Sequence, residues 1–125
     1  MSESKLAIYI CRHGESVHNV EKRLGGDSSL TKLGENQANK IGAYLGDKKI
    51  EAVYFSPPVR ARQTAEIIQK HLPKTNFIEV PELREIRYGS LEEMTVDEVK
   101  RRFPEQISKR RGDKFTWRLE DGESP

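Results

Sequence analysis

Arg12-His13-Gly14-Glu15-Ser16 sets a nucleophile, a cation and a pliable stretch of backbone side by side, immediately after a short apolar run. Histidine accepts a phosphoryl group well when one ring nitrogen keeps its lone pair and the other is held by an acceptor. Arg12 offers a planar fork of donors matched to phosphate oxygens. Gly14 lets the backbone turn sharply and come close to a ligand. A second cluster, Ser56-Pro57-Pro58-Val59-Arg60-Ala61-Arg62-Gln63-Thr64-Ala65, also follows an apolar run and begins a helix, so its free N–H groups face the same edge. Arg60 in the first helical turn is electrostatically unfavourable for the helix itself, and a bound anion would offset that cost. The third cluster, Glu82-Leu83-Arg84-Glu85-Ile86-Arg87-Tyr88-Gly89, brings Glu85. A carboxyl there can protonate a leaving alcohol if its surroundings favour the protonated form.

Each cluster alone has an ordinary reading: a surface histidine after a strand, a solvated arginine, a glutamate among arginines. Their shared placement changes the weighing. All three follow predicted strands, and ligands of open α/β sheets bind beyond the carboxyl ends of strands. Together they assemble a nucleophile, two charge clamps and a proton donor, an inventory suited to phosphoryl transfer with no metal or other cofactor.

The elements that must position these residues are legible from pattern. Residues 6–11 form a continuous apolar run, expected as a strand buried on both faces of a parallel sheet. Residues 12–29, rich in Gly and Ser, read as a loop. Thr31 is the expected N-cap of a helix running to about Leu45, with Leu33, Ala38, Ile41 and Leu45 on one side and Gly46-Asp47 as its stop. Ala52–Phe55 reads as a second strand. Ser56 and Pro57 are then expected as N-cap and first residue of a helix carrying Ala61, Ala65, Ile68 and Leu72, ending before Pro73. Residues 77–80 read as a third strand. Thr95-Val96-Asp97-Glu98 has the capping-box form, and Val96, Val99 and Phe103 give the next helix an apolar stripe. No element is assigned after Pro104. Strands alternating with helices predict an α/β domain on a mostly parallel sheet.

The chain has 125 residues, enough for one domain with a thin core. Counting its nine glycines, about 41% of it is apolar, against roughly 45–50% for a globular domain, so part of a core is expected to be missing. Net charge is +2 with both signs mixed, which does not predict nucleic-acid binding. Lys100-Arg101-Arg102 and Lys109-Arg110-Arg111 lack the interleaved aromatics of a nucleic-acid surface. One cysteine, Cys11, rules out an internal disulfide and favours a reducing compartment. No run approaches a membrane span and the first residues lack the apolar core of a signal peptide, so a cytoplasmic protein without membrane partners is expected.

The four blocks together resemble the histidine phosphatase superfamily, which includes the cofactor-dependent phosphoglycerate mutases. The resemblance rests on Arg12-His13-Gly14-Glu15-Ser16 with Asn19; Leu30-Thr31 with Gly34 and Gln37-Ala38; Ser56-Pro57 with Arg60-Ala61 and Gln63-Thr64-Ala65; and Leu83 with Glu85, Tyr88-Gly89 and Leu91-Glu92. It implies a phosphoglycerate mutase-like, three-layer α/β/α fold. It also implies that His13 becomes phosphorylated, that Arg12 and Arg60 hold the phosphoryl group, and that Glu85 gives and retrieves the proton. Asn19 and the Gly25-Gly26 backbone would line the substrate side.

Within the superfamily the chain is most similar to the fructose-2,6-bisphosphatase domain, through Gly25-Gly26-Asp27-Ser28, Glu92-Glu93-Met94-Thr95, Phe103-Pro104-Glu105, Asp113-Lys114 and Gly122-Glu123-Ser124. That resemblance implies that Arg110 and Lys114 bind a sugar bisphosphate. Val96 and Pro125 depart from it, standing where aromatic residues are expected. The implied function is hydrolysis of small phosphorylated metabolites, with mutase-type transfer and non-catalytic phosphate binding as alternatives. A second phosphate-contacting histidine of the family pattern has no counterpart here, since neither His18 nor His71 matches it. The expectation is therefore a domain lacking its C-terminal part, completed by a further segment or a second chain.

Overall fold

Thr31 begins the principal helix as its residue type predicts: the hydroxyl accepts from the Gly34 amide at 3.1 Å, and helix α2 runs Lys32–Leu45. The structure, a computed structural model, describes residues 5–112 and 122–123. Before α2 comes a short helix α1, Val17–Glu21, inside the stretch expected as loop. Five residues cannot sustain a helix by propensity. A reciprocal box at its start holds it instead: Ser16 N donates to Asn19 Oδ1 at 3.0 Å and Asn19 N to Ser16 Oγ at 3.3 Å.

Strand β1, Ala52–Phe55, pairs in parallel with β2, Asn76–Glu79, in the register Ala52↔Asn76 to Phe55↔Glu79. Between them lies helix α3, Val59–Gln69, which packs on β1 and on α2. This β–α–β unit confirms the α/β class and the parallel pairing. α2 packs on α3 and buries Gly34, Ala38, Gly42 and Leu45, with Gly34 against the Glu15 backbone and Gly42 against the His71 ring. Leu33, expected on the inner side, is exposed, because the buried stripe runs through the glycines one position on. The core proper is Leu45, Ile68 and Leu72, with Ile41, Ile50, Val53 and Phe77 packed against it.

Two short 3-10 turns, Pro81–Leu83 and Gly89–Leu91, flank the segment that carries Glu85. Helix α4, Val96–Arg102, is capped by Thr95, whose hydroxyl accepts from Glu98 N at 3.1 Å. Helix α5, Pro104–Gly112, follows in the region left unassigned from sequence and packs on α4. Its proline at the first position needs no N–H partner.

Two further sequence expectations require correction. Residues 6–11 form no strand, and Leu6, Ile8 and Ile10 are 85%, 74% and 93% exposed. A central strand needs a neighbour on each side, and the described sheet consists of β1 and β2 alone. The helix after β1 is not capped by Ser56 with Pro57 inside it: Pro58 is the N-cap and Val59 the first helical residue. The cap comes from elsewhere in the chain, as Val59 N donates to Asp27 Oδ1 at 2.8 Å. A carboxylate at that end also suits the helix dipole.

Candidate active site

His13 is half-buried, and its Nδ1 lies 2.6 Å from the carbonyl oxygen of Gly14. A carbonyl only accepts, so the shared proton sits on Nδ1, and in the neutral ring Nε2 keeps its lone pair. Of the two neutral tautomers, the bond thus selects the one with an unprotonated Nε2.

Gly14 ties this residue to α3. Its amide donates to Thr64 Oγ1 at 3.1 Å, and the Thr64 hydroxyl donates to the carbonyl of Arg60, one turn back, at 2.7 Å. Gly14 also lies against α2 so closely that a Cβ there would strike the backbone of Gly34, while a Cβ on Gly34 would strike that of Glu15. Two residues without side chains are what allow the loop after residue 11 to rest on the first turn of α2. Further bonds fasten the same loop: Glu15 N to Gln37 Oε1 at 2.8 Å, Thr31 Oγ1 to Glu15 Oε1 at 2.8 Å, and Leu30 N to Gln63 Oε1 at 2.7 Å.

Arg60 is the hub. It is 7% exposed, and it donates through Nη2 to Glu85 Oε2 at 2.8 Å and through Nη1 to the carbonyl of Gly26 at 3.2 Å. The blocks around His13, Gly25-Gly26, Arg60 and Glu85 are therefore joined by one continuous set of hydrogen bonds. Glu85 lies at the outer face of the hub, its side chain 62% exposed.

The remaining expected residues are placed as follows. Arg12 is exposed, and among the described residues no hydrogen bond or ion pair engages it. Asn19 is exposed and spends its side-chain oxygen on the Ser16 amide. Gly25 and Gly26 both adopt the left-handed region, φ +52° and +69°, which side-chain-bearing residues rarely tolerate. The Gly26 amide and carbonyl are both engaged within the protein, the amide with Glu92 Oε2 at 2.6 Å. Arg110 lines a mainly apolar cavity with Leu24, Leu91, Val96, Val99 and Ile107. Lys114 lies outside the described residues. His18 helps hold the loop, its amide bonded to Ser28 Oγ at 3.0 Å and its Nδ1 3.3 Å from the Gly25 carbonyl.

Sequence reasoning did not single out Thr64, Glu92 or Asp27 as site-building residues. Thr64 was within reach, since it stands four residues after Arg60 and so shares its helix face. Glu92 and Asp27 act on backbone far away in sequence, and local pattern carries no sign of that. Among the described residues no group of three or more His, Cys, Asp or Glu side chains is arranged to hold a metal ion. No described helix is long and apolar enough to cross a membrane.

The profile of the histidine phosphatase superfamily (branch 1) matches residues 8–125. The chain belongs to that superfamily. Among relatives of this histidine phosphatase chain, 6-phosphofructo-2-kinase/fructose-2,6-bisphosphatase 3 of Bos taurus is 38% identical over 119 residues, which are 94% of this chain and 25% of that protein. The Homo sapiens isoenzyme 1 is 36% identical over 120 residues, 94% of this chain and 24% of that protein. Among solved structures, a mycobacterial glucosyl-3-phosphoglycerate phosphatase in complex with VO3 superposes with a TM-score of 0.81 at 27% identity, over 90% of this chain and 54% of that one. YhfR of Bacillus stearothermophilus gives 0.79 at 33% identity, over 90% and 56%. The chain thus spans about a quarter of its curated relatives and about half of its structural ones. In those terms it is a partial histidine phosphatase fold.

Proposed function

We propose that this chain carries the phosphoryl-accepting part of a phosphatase that hydrolyses phosphomonoesters of small metabolites through a phosphohistidine at His13. The observation that carries the reading is the 2.6 Å bond from His13 Nδ1 to the Gly14 carbonyl, which leaves Nε2 as the nucleophile. Nε2 attacks phosphorus as the bond to the leaving oxygen breaks, and that oxygen takes a proton from Glu85. Glu85 then removes a proton from water, whose oxygen attacks phosphorus while the N–P electron pair returns to Nε2. Arg60 and Arg12 balance the charge on the phosphoryl oxygens.

Phosphoryl oxygens and Glu85 compete for the same guanidinium. Substrate arriving at Arg60 displaces the carboxylate, which takes up a proton from solvent and becomes the acid at the leaving-group side of the site. Sugar phosphates are the favoured substrates, fructose 2,6-bisphosphate among them, since the bovine and human relatives bear that activity in their names. Asn19, Arg110 and Lys114 would then contact the sugar and its second phosphate, with the Gly25-Gly26 turn as backing.

The exposed Leu6, Ile8 and Ile10, with the span of about half of the structural relatives, support a site completed by a further segment or by a second chain. The test uses fructose 2,6-bisphosphate labelled in the 2-phosphate, with p-nitrophenyl phosphate as a general substrate. The expected result is label on His13, none in His13→Gln, and turnover of the chain by itself far below that of a full-length relative. Absence of label from any phosphomonoester would overturn the enzyme reading in favour of a phosphate-binding module. Label moving to a second position on the substrate, rather than to inorganic phosphate, would establish a mutase instead.

A further inference from the structure

Glu92 lies outside the cluster of side chains around Arg60, yet both of its carboxylate oxygens are committed to backbone that builds the cluster. Oε2 accepts from the Gly26 amide at 2.6 Å and Oε1 from the Tyr88 amide at 2.7 Å. Gly26 passes the effect onward, since its carbonyl accepts from Arg60 Nη1 at 3.2 Å. Tyr88 ends the segment that carries Glu85, whose carboxylate takes the other end of the same guanidinium. One half-buried carboxylate therefore stands between the two strands of backbone that orient Arg60.

The surrounding pairing shows why a side chain is needed there. Segment 22–24 is laid against segment 93–96 by backbone bonds, Leu24 N to Met94 O at 2.9 Å, Glu93 N to Leu24 O at 2.7 Å and Val96 N to Lys22 O at 2.8 Å. That pairing stops at Leu24. Gly25 and Gly26 then turn through the left-handed region, and a Cβ on Gly25 would collide with the Glu92 carboxylate. The turn is permissive by composition and lies past the end of its ladder. Ionised acceptors make short, strong bonds to backbone N–H groups, which is what a glycine turn needs in order to hold one conformation.

We infer that Glu92 is a positioning residue, a latch that fixes the Gly25-Gly26 turn and through the Gly26 carbonyl holds the Arg60 guanidinium in its phosphate-binding orientation. What Arg60 binds rests on the function proposed above, whereas the latch does not. Glu92 contacts no reacting atom in this assignment. Glutamine cannot replace it fully, because a carboxamide has one acceptor oxygen where two are used. Aspartate is one methylene too short to span both amides.

The test compares the chain with Glu92→Gln and Glu92→Ala by NMR. Amide hydrogen exchange is followed at Gly26 and Tyr88, the Arg60 side-chain N–H signals are recorded, and inorganic phosphate is titrated in. Glu92→Gln is expected to keep the global unfolding midpoint and to lose protection at one of the two amides. It should also shift the Arg60 signals and weaken phosphate binding about tenfold, the size of a lost charge-assisted hydrogen bond. Glu92→Ala should lose protection at both amides.

Unchanged Arg60 signals and phosphate affinity in a folded Glu92→Gln protein would overturn the latch and leave Glu92 a merely structural bridge. If the parent chain binds no phosphate, the proposed function fails. The latch is then decided by the Gly26 and Arg60 signals alone.

Discussion

Arg60 and Glu85 meet at 2.8 Å, the guanidinium buried and the carboxylate largely in solvent. The pair links the proposed phosphate clamp to the proposed proton donor, and an arriving anion must break it. Glu85→Gln removes the competing negative charge and leaves the clamp in place. Affinity for inorganic phosphate is expected to rise several-fold, while phosphorylation of His13 from an alkyl phosphate falls by about 10²-fold or more for want of a proton donor. Calorimetric titration with phosphate and a single-turnover labelling experiment measure the two effects separately. A fall in both would show that Glu85 positions Arg60 rather than competing for its ligand.

Thr64→Val removes one hydroxyl and nearly nothing else. That hydroxyl accepts from Gly14 and donates to the Arg60 carbonyl, and it is buried, so the mutation strands the Gly14 amide away from water, whereas the Arg60 carbonyl keeps its place in the helical ladder. The expected cost is about 1–3 kcal/mol in urea denaturation, with faster exchange at the Gly14 amide. Thr64→Ser keeps the oxygen and should recover most of both.

How far sequence reached depended on whether the partners were local. Thr31 and Thr95 were legible as caps because each bonds an amide three residues on. Ala52–Phe55 was legible because its apolar run is bounded by turn residues. The cap of α3 was misplaced at Ser56 because Asp27, 32 residues earlier, supplies it. Residues 6–11 carry the composition of a strand without the neighbours that would make them one. Of the candidate residues, Arg60 and Glu85 follow β1 and β2 as their expected placement has it, whereas His13 follows no strand and is tied to Arg60 through Gly14 and Thr64. The wiring through Thr64, Gly26 and Glu92 was not legible, because it is set by which backbones meet.

Acid conditions should act at the segment holding Glu85 through Glu123. Its carboxylate takes both arms of Arg84, at 2.7 and 2.8 Å, and the Arg87 amide at 2.8 Å. The Arg84 hydrogen bonds, followed by that of Arg87, pull the Glu123 carboxyl down to about 2. A lowered value in the folded chain means that the contribution is complete above roughly pH 4.3, the value of a free glutamate. It is lost as pH falls from there toward about 2. The Arg87 amide shift should titrate with a midpoint near 2, and in Glu123→Gln that transition should vanish. A midpoint at the ordinary glutamate value would show that the clamp is not formed in solution.

Two glycines, one inside α2 and one at its C-cap, should respond in opposite senses to alanine. Mid-helix glycine ordinarily costs about 1 kcal/mol relative to alanine, so replacement should stabilise wherever there is room. Gly46 has room: it caps α2 at φ −57°, and its nearest foreign atom to a new Cβ is the Ala43 carbonyl at 3.5 Å. Gly46→Ala is therefore expected to be neutral or to raise stability by roughly 0.5 kcal/mol. Gly34 has none, because a Cβ there would overlap the Glu15 carbonyl oxygen and lie 2.9 Å from its nitrogen. Those are backbone atoms and cannot rotate away, so the loop itself must lift from α2. Gly34→Ala should lose about 1–3 kcal/mol despite its better helix propensity. Because Glu15 follows His13 and Gly14, the displacement should also loosen the Gly14–Thr64 bond, visible as faster exchange at the Gly14 amide. Equal unfolding midpoints for the two variants would mean that the loop does not rest on α2 as described.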